Sequence, residues 1–229
     1  MASPFDQSNT SFSGRAPLFP LPTMTLLPHV LLPLHIFEPR YRRMVADALS
    51  GERYLALAQI VPGAETIEPA PIYDHVCLTS VVAEEHLDDG RYYLLVQGVV
   101  RSKVLSEEKS DLPYRIARLE LRPDLLPAVP TIHRENRRRE LLEAFRDLGD
   151  RPDLDKLLHE ICDPMVPLGQ FCDLLASSLN LSAARMQALL AEPNVDVRSD
   201  LLLNFLRELR RAARDGGRPR TFPPDFSRN

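Results

Sequence analysis

Ser102-Lys103 is the residue pair that most resembles catalytic machinery, because a serine beside a lysine amine can attack a peptide carbonyl. Neighbours in a strand point to opposite faces, so the amine of Lys103 would not reach the Ser102 hydroxyl. The other lysines, Lys109 and Lys156, lie in polar segments. The sequence therefore predicts no Ser–Lys peptidase. It also contains no Gly-Lys pair, which a GxxxxGK[ST] phosphate-binding loop requires.

Histidine and cysteine are the residue types that could bind a metal. His75 and Cys77 stand on one face of a predicted strand, and the same half contains His29, His35 and His86. Zinc sites are usually marked by paired spacings such as CxxC or HxxxH, which are missing here. We expect a buried thiol and surface histidines, with no metal and no cofactor. The odd cysteine count of 3 favours reduced thiols over a disulfide framework.

Charged residues also form recognisable groups. Glu38 and Arg42 are spaced i, i+4, which is typical of a solvent-facing pair on a helix. Arginines cluster within 134–139 and 207–214, and interleaved glutamates make both clusters typical of solvated helix faces. The formal net charge of −4 disfavours a dedicated nucleic-acid-binding protein.

The elements that position these side chains change character once along the chain. Residues 15–125 contain short apolar runs typical of strands, residues 131–214 contain helical stripes, and a proline-rich stretch separates them. The polar segments 1–14 and 215–229 are predicted to be disordered tails. No stretch approaches the ~20 apolar residues that span a bilayer. We expect a soluble, cytoplasmic protein of the α+β class.

Local signals divide each half into elements. Pro39 is placed to begin a helix that Gly51 ends. Strands are predicted at 54–61, 75–87, 91–108 and 114–121, with a tight hairpin at Asp89-Gly90 and a bulge or bend at Gly98. In the second half we expect four or five helices, including one near 154–161 and two with the N-caps Ser182 and Asn194. These patterns predict a small β-barrel followed by a compact helical bundle.

The order of several motifs resembles the N-terminal, substrate-binding domain of Lon proteases. The similar segments are Pro17–Leu21, Leu32–Leu34, Ile36–Tyr41, Asp89–Arg91, Gly98–Arg101, Pro113–Arg115, Phe171–Ala176, Leu179–Leu181, Gln187–Glu192 and Asp196–Arg198. Ser102 departs from the family pattern, in which an aromatic residue often follows the arginine. The resemblance implies a PUA-like β-barrel, then an α-helical bundle, in a stand-alone domain without the ATPase and peptidase domains of Lon.

The resemblance also implies a function, because this domain engages unfolded or tagged polypeptides in that family. The chain is then expected to be a non-enzymatic module that binds polypeptide clients. The candidate contact residues, which ordinary core packing would also explain, are Val30, Leu31, Leu32, Ile36 and Phe37. Two alternatives stay open: RNA binding, which recurs among PUA-like barrels, and an adaptor or scaffold that docks a separate ATPase or protease.

Overall fold

The structure is a computed structural model, and it describes residues 12–148, 163 and 165–216. The strands are β1 (Arg15–Leu21), β2 (Leu31–Ile36), β3 (Tyr54–Gln59), β4 (His75–His86), β5 (Tyr92–Glu108) and β6 (Ile116–Arg122). The helices are α1 (Pro39–Leu49), α2 (Arg134–Arg146), α3 (Leu168–Ser177), α4 (Ala183–Ala191) and α5 (Val195–Gly216). In this mixed α/β fold α1 lies among the strands and the other four described helices follow them, as the sequence predicted.

The strands form one 6-stranded sheet in the order β2-β5-β4-β3-β1-β6, and β6 also pairs with β5. The pairings of β5, β4, β3, β1 and β6 therefore return to their starting strand and form a ring. The long strand β5 makes this possible, because residues 92–97 pair with β2 and residues 101–108 pair with β6. The ring is the barrel-like part of the fold, and β2 lies outside it.

A small apolar core fills the ring. It consists of Ala16, Leu18, Ala56, Ala58, Val76, Leu78, Val100, Ala117 and Leu119. Every member comes from a strand of the ring, and alanines fit the narrow space that five strands enclose. Strand β3 alternates strictly, since Ala56 and Ala58 face this core while Leu55 and Leu57 face a second, larger core. Burial on both faces explains the continuous apolar run in β3.

The larger core joins the sheet to the helices. It contains Tyr41 and Met44 from α1, Phe171 from α3 and many leucines of α4 and α5. Cys77 and Cys172 are buried in it, and burial raises the pKa of each thiol to about 12. The predicted buried thiols are thus confirmed at these two positions, while Cys162 lies outside the described residues.

Helix boundaries follow local signals closely. Helix α1 begins at Pro39, as predicted. Asn194 caps α5, because its side-chain oxygen accepts a hydrogen bond of 3.0 Å from the backbone N–H of Asp196. Ser182 occupies the N-cap position of α4, but its side chain makes no capping hydrogen bond. The helix predicted near 154–161 lies outside the described residues.

The hairpin between β4 and β5 is one residue longer than predicted. The N–H of Gly90 donates to the carbonyl of Leu87 at 2.8 Å, and the N–H of Leu87 donates to the carbonyl of Arg91 at 2.9 Å. Gly90 has φ 80°, so the loop is a three-residue turn that ends in a left-handed glycine. The predicted irregularity at Gly98 is confirmed, because the β4–β5 register shifts beside it and leaves Val99 unpaired with β4.

A buried ionic network fixes the helices on the ring. Arg101 of β5 contacts Asp173 of α3 and lies 3.1 Å from Asp124 in the connection between the halves. Arg198 of α5 lies 2.7 Å from Asp124 and 3.3 Å from Asp173. Burial lowers the pKa of Arg198, but the two carboxylates outweigh it and the pKa is raised. The network holds β5 at a defined position against α3 and α5.

Candidate functional site

Strand β2 and the adjoining ends of β4 and β5 form an extension outside the ring. Residues 31–36 of β2 lie opposite residues 92–97 of β5, which lie opposite residues 80–86 of β4. Side chains alternate between the two faces of a sheet. On one face Leu32, Leu34, Leu94 and Val96 pack on the larger core, so this face is covered by the rest of the molecule.

The other face of the extension is not covered. Its cross-strand rows are Leu31–Gln97–Ser80, Pro33–Leu95–Ala83 and His35–Tyr93–Glu85, and Phe37 follows at the end of β2. We refer to these residues as the open face. None of them is buried, and Leu31, Phe37 and Tyr93 are 52%, 59% and 50% exposed. An exposed sheet face that combines large apolar side chains with a few polar ones is a feature of binding surfaces.

The open face continues the inner surface of the ring. In β4, Ser80 shares the alternation phase of Leu78 and Val76, which point into the small core. Within the ring that surface is covered by the opposite strands. Beyond the ring the same surface reaches solvent. The open face is therefore a continuation of the ring's inner surface on which no other strand packs.

Aromatic rings cluster at one end of the open face. The ring centroid of His35 lies 4.9 Å from that of Tyr93 and 5.8 Å from that of Phe37. Aromatic side chains provide large contact areas for few torsion angles, which favours them in recognition surfaces. The three rings therefore form a contact surface for a ligand beside the apolar row of Pro33, Leu95 and Ala83.

The five predicted contact residues divide between the two faces. Leu31 and Phe37 lie on the open face. Ile36 is only 2% exposed and belongs to the larger core, and Leu32 points the same way. Val30 is partly buried and packs against that core. For Ile36 the core interpretation holds, because strand alternation turns it away from Phe37.

Sequence reasoning missed the contribution of β5 to this surface. Tyr93 and Leu95 lie on the open face because they stand opposite His35 and Pro33. The run of residues 92–97 is apolar almost throughout and gives no sign of which face is exposed. The register between β2 and β5, which joins residues distant in sequence, was the missing information.

The other candidate chemical groups lie elsewhere. Ser102 is buried at 1% exposure, whereas the Lys103 amine lies 3.7 Å from Asp74 in a partly exposed ion pair, so the two point apart as predicted. The predicted Glu38–Arg42 pair is wrong. Glu38 precedes α1 as its N-cap and contacts Arg40 at 3.0 Å. Among the described residues, no group of three or more His, Cys, Asp and Glu side chains could hold a metal ion.

The arginines of α2 make more contacts within the fold than the sequence predicted. The guanidinium of Arg134 lies 2.7 Å from the buried carboxylate of Asp196. Arg137 is 12% exposed and contacts Asp200, also in α5. Arg138 donates to the carbonyl of Asp163 at 2.9 Å. The prediction of a fully solvated face is therefore wrong for Arg134 and Arg137, which join α2 to α5.

A cavity with a volume of about 420 Å³ lies between α1 and the loops near residues 65–70 and 108–115. Its arginines are already paired: Arg40 contacts Glu38 and Arg115 contacts Glu107. Both guanidiniums are therefore already neutralised by glutamates, and Lys109 is the further cation that lines the cavity.

The fold defines a class, a barrel-like sheet with an attached helical bundle and one uncovered sheet face. The family model of the ATP-dependent protease La (LON) substrate-binding domain matches residues 15–208. The chain belongs to this family. No helix within the described ranges is long and apolar enough to cross a membrane.

Curated relatives are Lon proteases. The chain is 30% identical over 179 residues to the Lon protease of Trichlorobacter lovleyi, and the aligned region covers 76% of this chain and 21% of that protein. It is 26% identical over 207 residues to Lon protease 2 of Bdellovibrio bacteriovorus, which covers 88% of this chain and 25% of that protein. The chain thus spans about a fifth to a quarter of the length of these relatives.

Solved structures share the fold. A Lon N-terminal domain protein from Xanthomonas campestris superposes with a TM-score of 0.57 at 20% identity, over 83% of this chain and 98% of that chain. The N-terminal domain of the Mycobacterium avium complex Lon protease gives 0.61 at 15% identity, over 85% and 98%. What the comparisons match is therefore a substrate-binding domain.

Proposed function

We propose that this chain is a polypeptide-recognition module whose open face binds apolar segments of unfolded or tagged proteins. The observation that carries the proposal is the exposure of the open face, on which Leu31, Phe37 and Tyr93 are each at least half exposed. Membership of a substrate-binding domain family supports it. The module acts by binding alone, and we expect it to work in the cytoplasm, where its thiols stay reduced.

The energetics of such a face suit weak, reversible capture. Burying one leucine or phenylalanine side chain of a client contributes about 1.5–3 kcal/mol. Two or three such contacts supply at most about 9 kcal/mol before the entropy of ordering a flexible segment is subtracted. A micromolar dissociation constant corresponds to about 8 kcal/mol, so we expect affinities that are micromolar or weaker. A receptor that must release its clients for further processing is well served by affinity in that range.

The test is binding of reduced, carboxymethylated α-lactalbumin, which is permanently unfolded, measured by fluorescence anisotropy at low and high salt. We expect binding that survives salt, because apolar contacts are not screened. Single-stranded oligouridine serves as the comparison ligand. RNA binding would instead fall steeply with salt, as phosphate contacts do. Failure of the unfolded protein to bind would refute the proposal.

Paired variants locate the binding surface. The double variant Leu31→Ser, Phe37→Ser removes two exposed apolar side chains and is expected to weaken binding by roughly tenfold or more. The melting temperature is expected to change little, because both residues are more than half exposed. The control is Leu105→Ser, since Leu105 is 59% exposed at the other end of β5. Equal affinities of the two variants would place the binding surface elsewhere.

An adaptor role is the second candidate, and a specific surface favours it. Leu125, Leu126 and Val129 in the connection between the halves are 55%, 60% and 82% exposed. This strip is separate from the open face and could dock a separate ATPase or protease subunit. Affinity purification of the chain from its own cells, with and without Leu126→Ser and Val129→Ser, tests the idea. Recovery of the chain alone would count against it.

A further inference from the structure

The three strand segments that carry the open face are unusual in their charge. Residues 31–37, 80–86 and 92–97 contain no Lys or Arg, although the chain has 28 of them, and they contain the acidic pair Glu84 and Glu85. A surface with this composition offers an acidic client segment no partner and offers a basic one a partner.

Glu84 and Glu85 point to opposite faces of β4. Glu84 pairs with Arg53 on the side away from the open face, and this ion pair lowers the pKa of Glu84. Glu85 stands opposite Tyr93 in the row that also contains His35, and it is exposed. Among the described residues, Glu85 has no ion-pair partner within 4.0 Å. Glu85 is thus the free carboxylate of the open face.

The neighbourhood of Glu85 fits a cation. Tyr93 is half exposed and stands between His35, whose ring centroid lies 4.9 Å from that of Tyr93, and Glu85 on the other side of the row. A Lys ammonium or Arg guanidinium held between Tyr93 and Glu85 would form an ion pair with the carboxylate and a cation–π contact with the ring. The apolar row of Pro33, Leu95 and Ala83 lies next to this position on the same face. A client residue pair, one basic and one apolar, would therefore span two adjacent rows.

We infer that the open face selects apolar client segments that carry a Lys or Arg, and that Glu85 is the residue that favours basic over acidic segments. This inference rests on the proposed function, since it names the class of polypeptide that the same face accepts. It also gives Glu85 a role as a specificity determinant that does not contribute to the bulk of the affinity.

Three synthetic 12-residue peptides test the inference. They share one apolar core of Leu, Phe and Val and differ at two flanking positions, which are Lys, Gln or Glu. We expect affinities in the order Lys, Gln, Glu, with each step roughly two- to fivefold, the range for exposed ion pairs. High salt is expected to level the order while leaving the binding itself.

Variants at position 85 assign the effect to one carboxylate. Glu85→Gln is expected to level the Lys and Gln peptides, and Glu85→Lys to reverse the order so that the Glu peptide binds best. The control is Glu120→Gln on β6, an exposed glutamate outside the extension. Both residues are exposed, so thermal melts are expected to stay unchanged and to exclude misfolding as a cause.

The outcomes separate the two proposals. Equal binding of all three peptides at low salt, with loss of binding in the Leu31→Ser, Phe37→Ser variant, would overturn the role of Glu85 and leave polypeptide recognition intact. Absence of binding for every peptide would overturn the proposed function. An affinity order that persists unchanged in Glu85→Lys would assign the charge preference to another part of the surface and refute this inference.

Discussion

Gly98 lies where β5 meets the segment that leads into β2. Its N–H donates to the carbonyl of Val30 at 2.9 Å, and its carbonyl accepts from the N–H of His29 at 2.7 Å. A Cβ atom added at Gly98 would lie 2.2 Å from the backbone oxygen of Leu27. The chain is thus held together here by backbone contact that only a glycine permits.

Replacement of this glycine is expected to destabilise the fold. Gly98→Ala forces two backbone segments apart and should lower the free energy of unfolding by about 1–3 kcal/mol, as overpacking does. Gly51→Ala is the control, because its Cβ would lie 3.5 Å from the nearest atom, in ordinary contact. Urea unfolding of both variants measures the difference. Equal midpoints would mean that the close approach is relieved at no cost.

Asp173 is the second position with a large expected effect. It is 1% exposed and contacts both Arg101 and Arg198, which are 2% and 0% exposed. Asp173→Ala would leave two buried guanidiniums with Asp124 as their remaining carboxylate, and should cost about 3 kcal/mol or more. The control is Glu208→Ala, which removes an exposed ion pair with Arg185 and should cost at most about 1 kcal/mol. Chemical denaturation is the measurement.

At the scale of elements, β2 is an edge strand whose geometry is constrained by Pro33. In the sheet order, β2 pairs with β5 and stands at the end. The hydrogen bond from the N–H of Gly98 to the carbonyl of Val30 sets the hydrogen-bonding phase of β2. In an antiparallel pair every second residue bonds to the neighbour, so the even-numbered residues of β2 are those that hydrogen-bond to β5. Pro33 therefore directs its missing N–H to the free edge, where its absence interrupts any added strand. The client binding that we propose for the open face would then rely on side-chain contacts rather than on strand addition.

Restoring that N–H should allow the free edge of β2 to pair with a strand of another molecule. Pro33→Val is expected to produce concentration-dependent dimers or larger species, because the free edge of β2 then pairs with the edge of a second copy. Sedimentation velocity over a range of concentrations detects them. The matched control, Pro130→Val, changes an exposed proline outside the sheet and should leave the sedimentation coefficient as it was. Unaltered behaviour of Pro33→Val would mean that something else protects this edge.

Most elements could be predicted from sequence because their signals are local. Pro39 at the start of α1 and Asn194 as the cap of α5 depend on residues a few positions away. The alternation within β6 was harder, since Ala117 and Leu119 face the small core while Ile116 packs on the larger one. That division follows the plain alternation of β6, but because both of its faces are packed, its apolar residues do not show locally which core each one joins.

At the scale of the whole molecule, buried carboxylates make stability depend on pH. Burial raises the pKa of Asp196, but hydrogen bonds from Arg134 and Thr131 outweigh it and lower the pKa below the ordinary value. A carboxylate with a lowered pKa stabilises the fold at pH above its unfolded pKa of about 3.9. This contribution is lost as pH falls through the folded-state pKa.

The protein is therefore expected to lose stability progressively as pH falls below about 4. The variant Arg134→Gln removes the main partner of Asp196, so its stability should be lower at pH 7 and should change less between pH 7 and pH 3. Melting temperatures measured across this range, for both proteins, provide the test. A variant with the same pH profile as the parent would show that Arg134 does not set the pKa of Asp196.

The sequence by itself determined the class of fold, most element boundaries and the apolar character of the segment around residues 30–37, because propensity, alternation and capping act over a few residues. Only the tertiary structure decided which side of β2 meets solvent, that Tyr93 and Glu85 join Leu31 there, and that Arg101, Asp173 and Arg198 meet in the interior. These facts depend on strand register and on contacts between residues far apart in the chain, which a linear pattern does not specify.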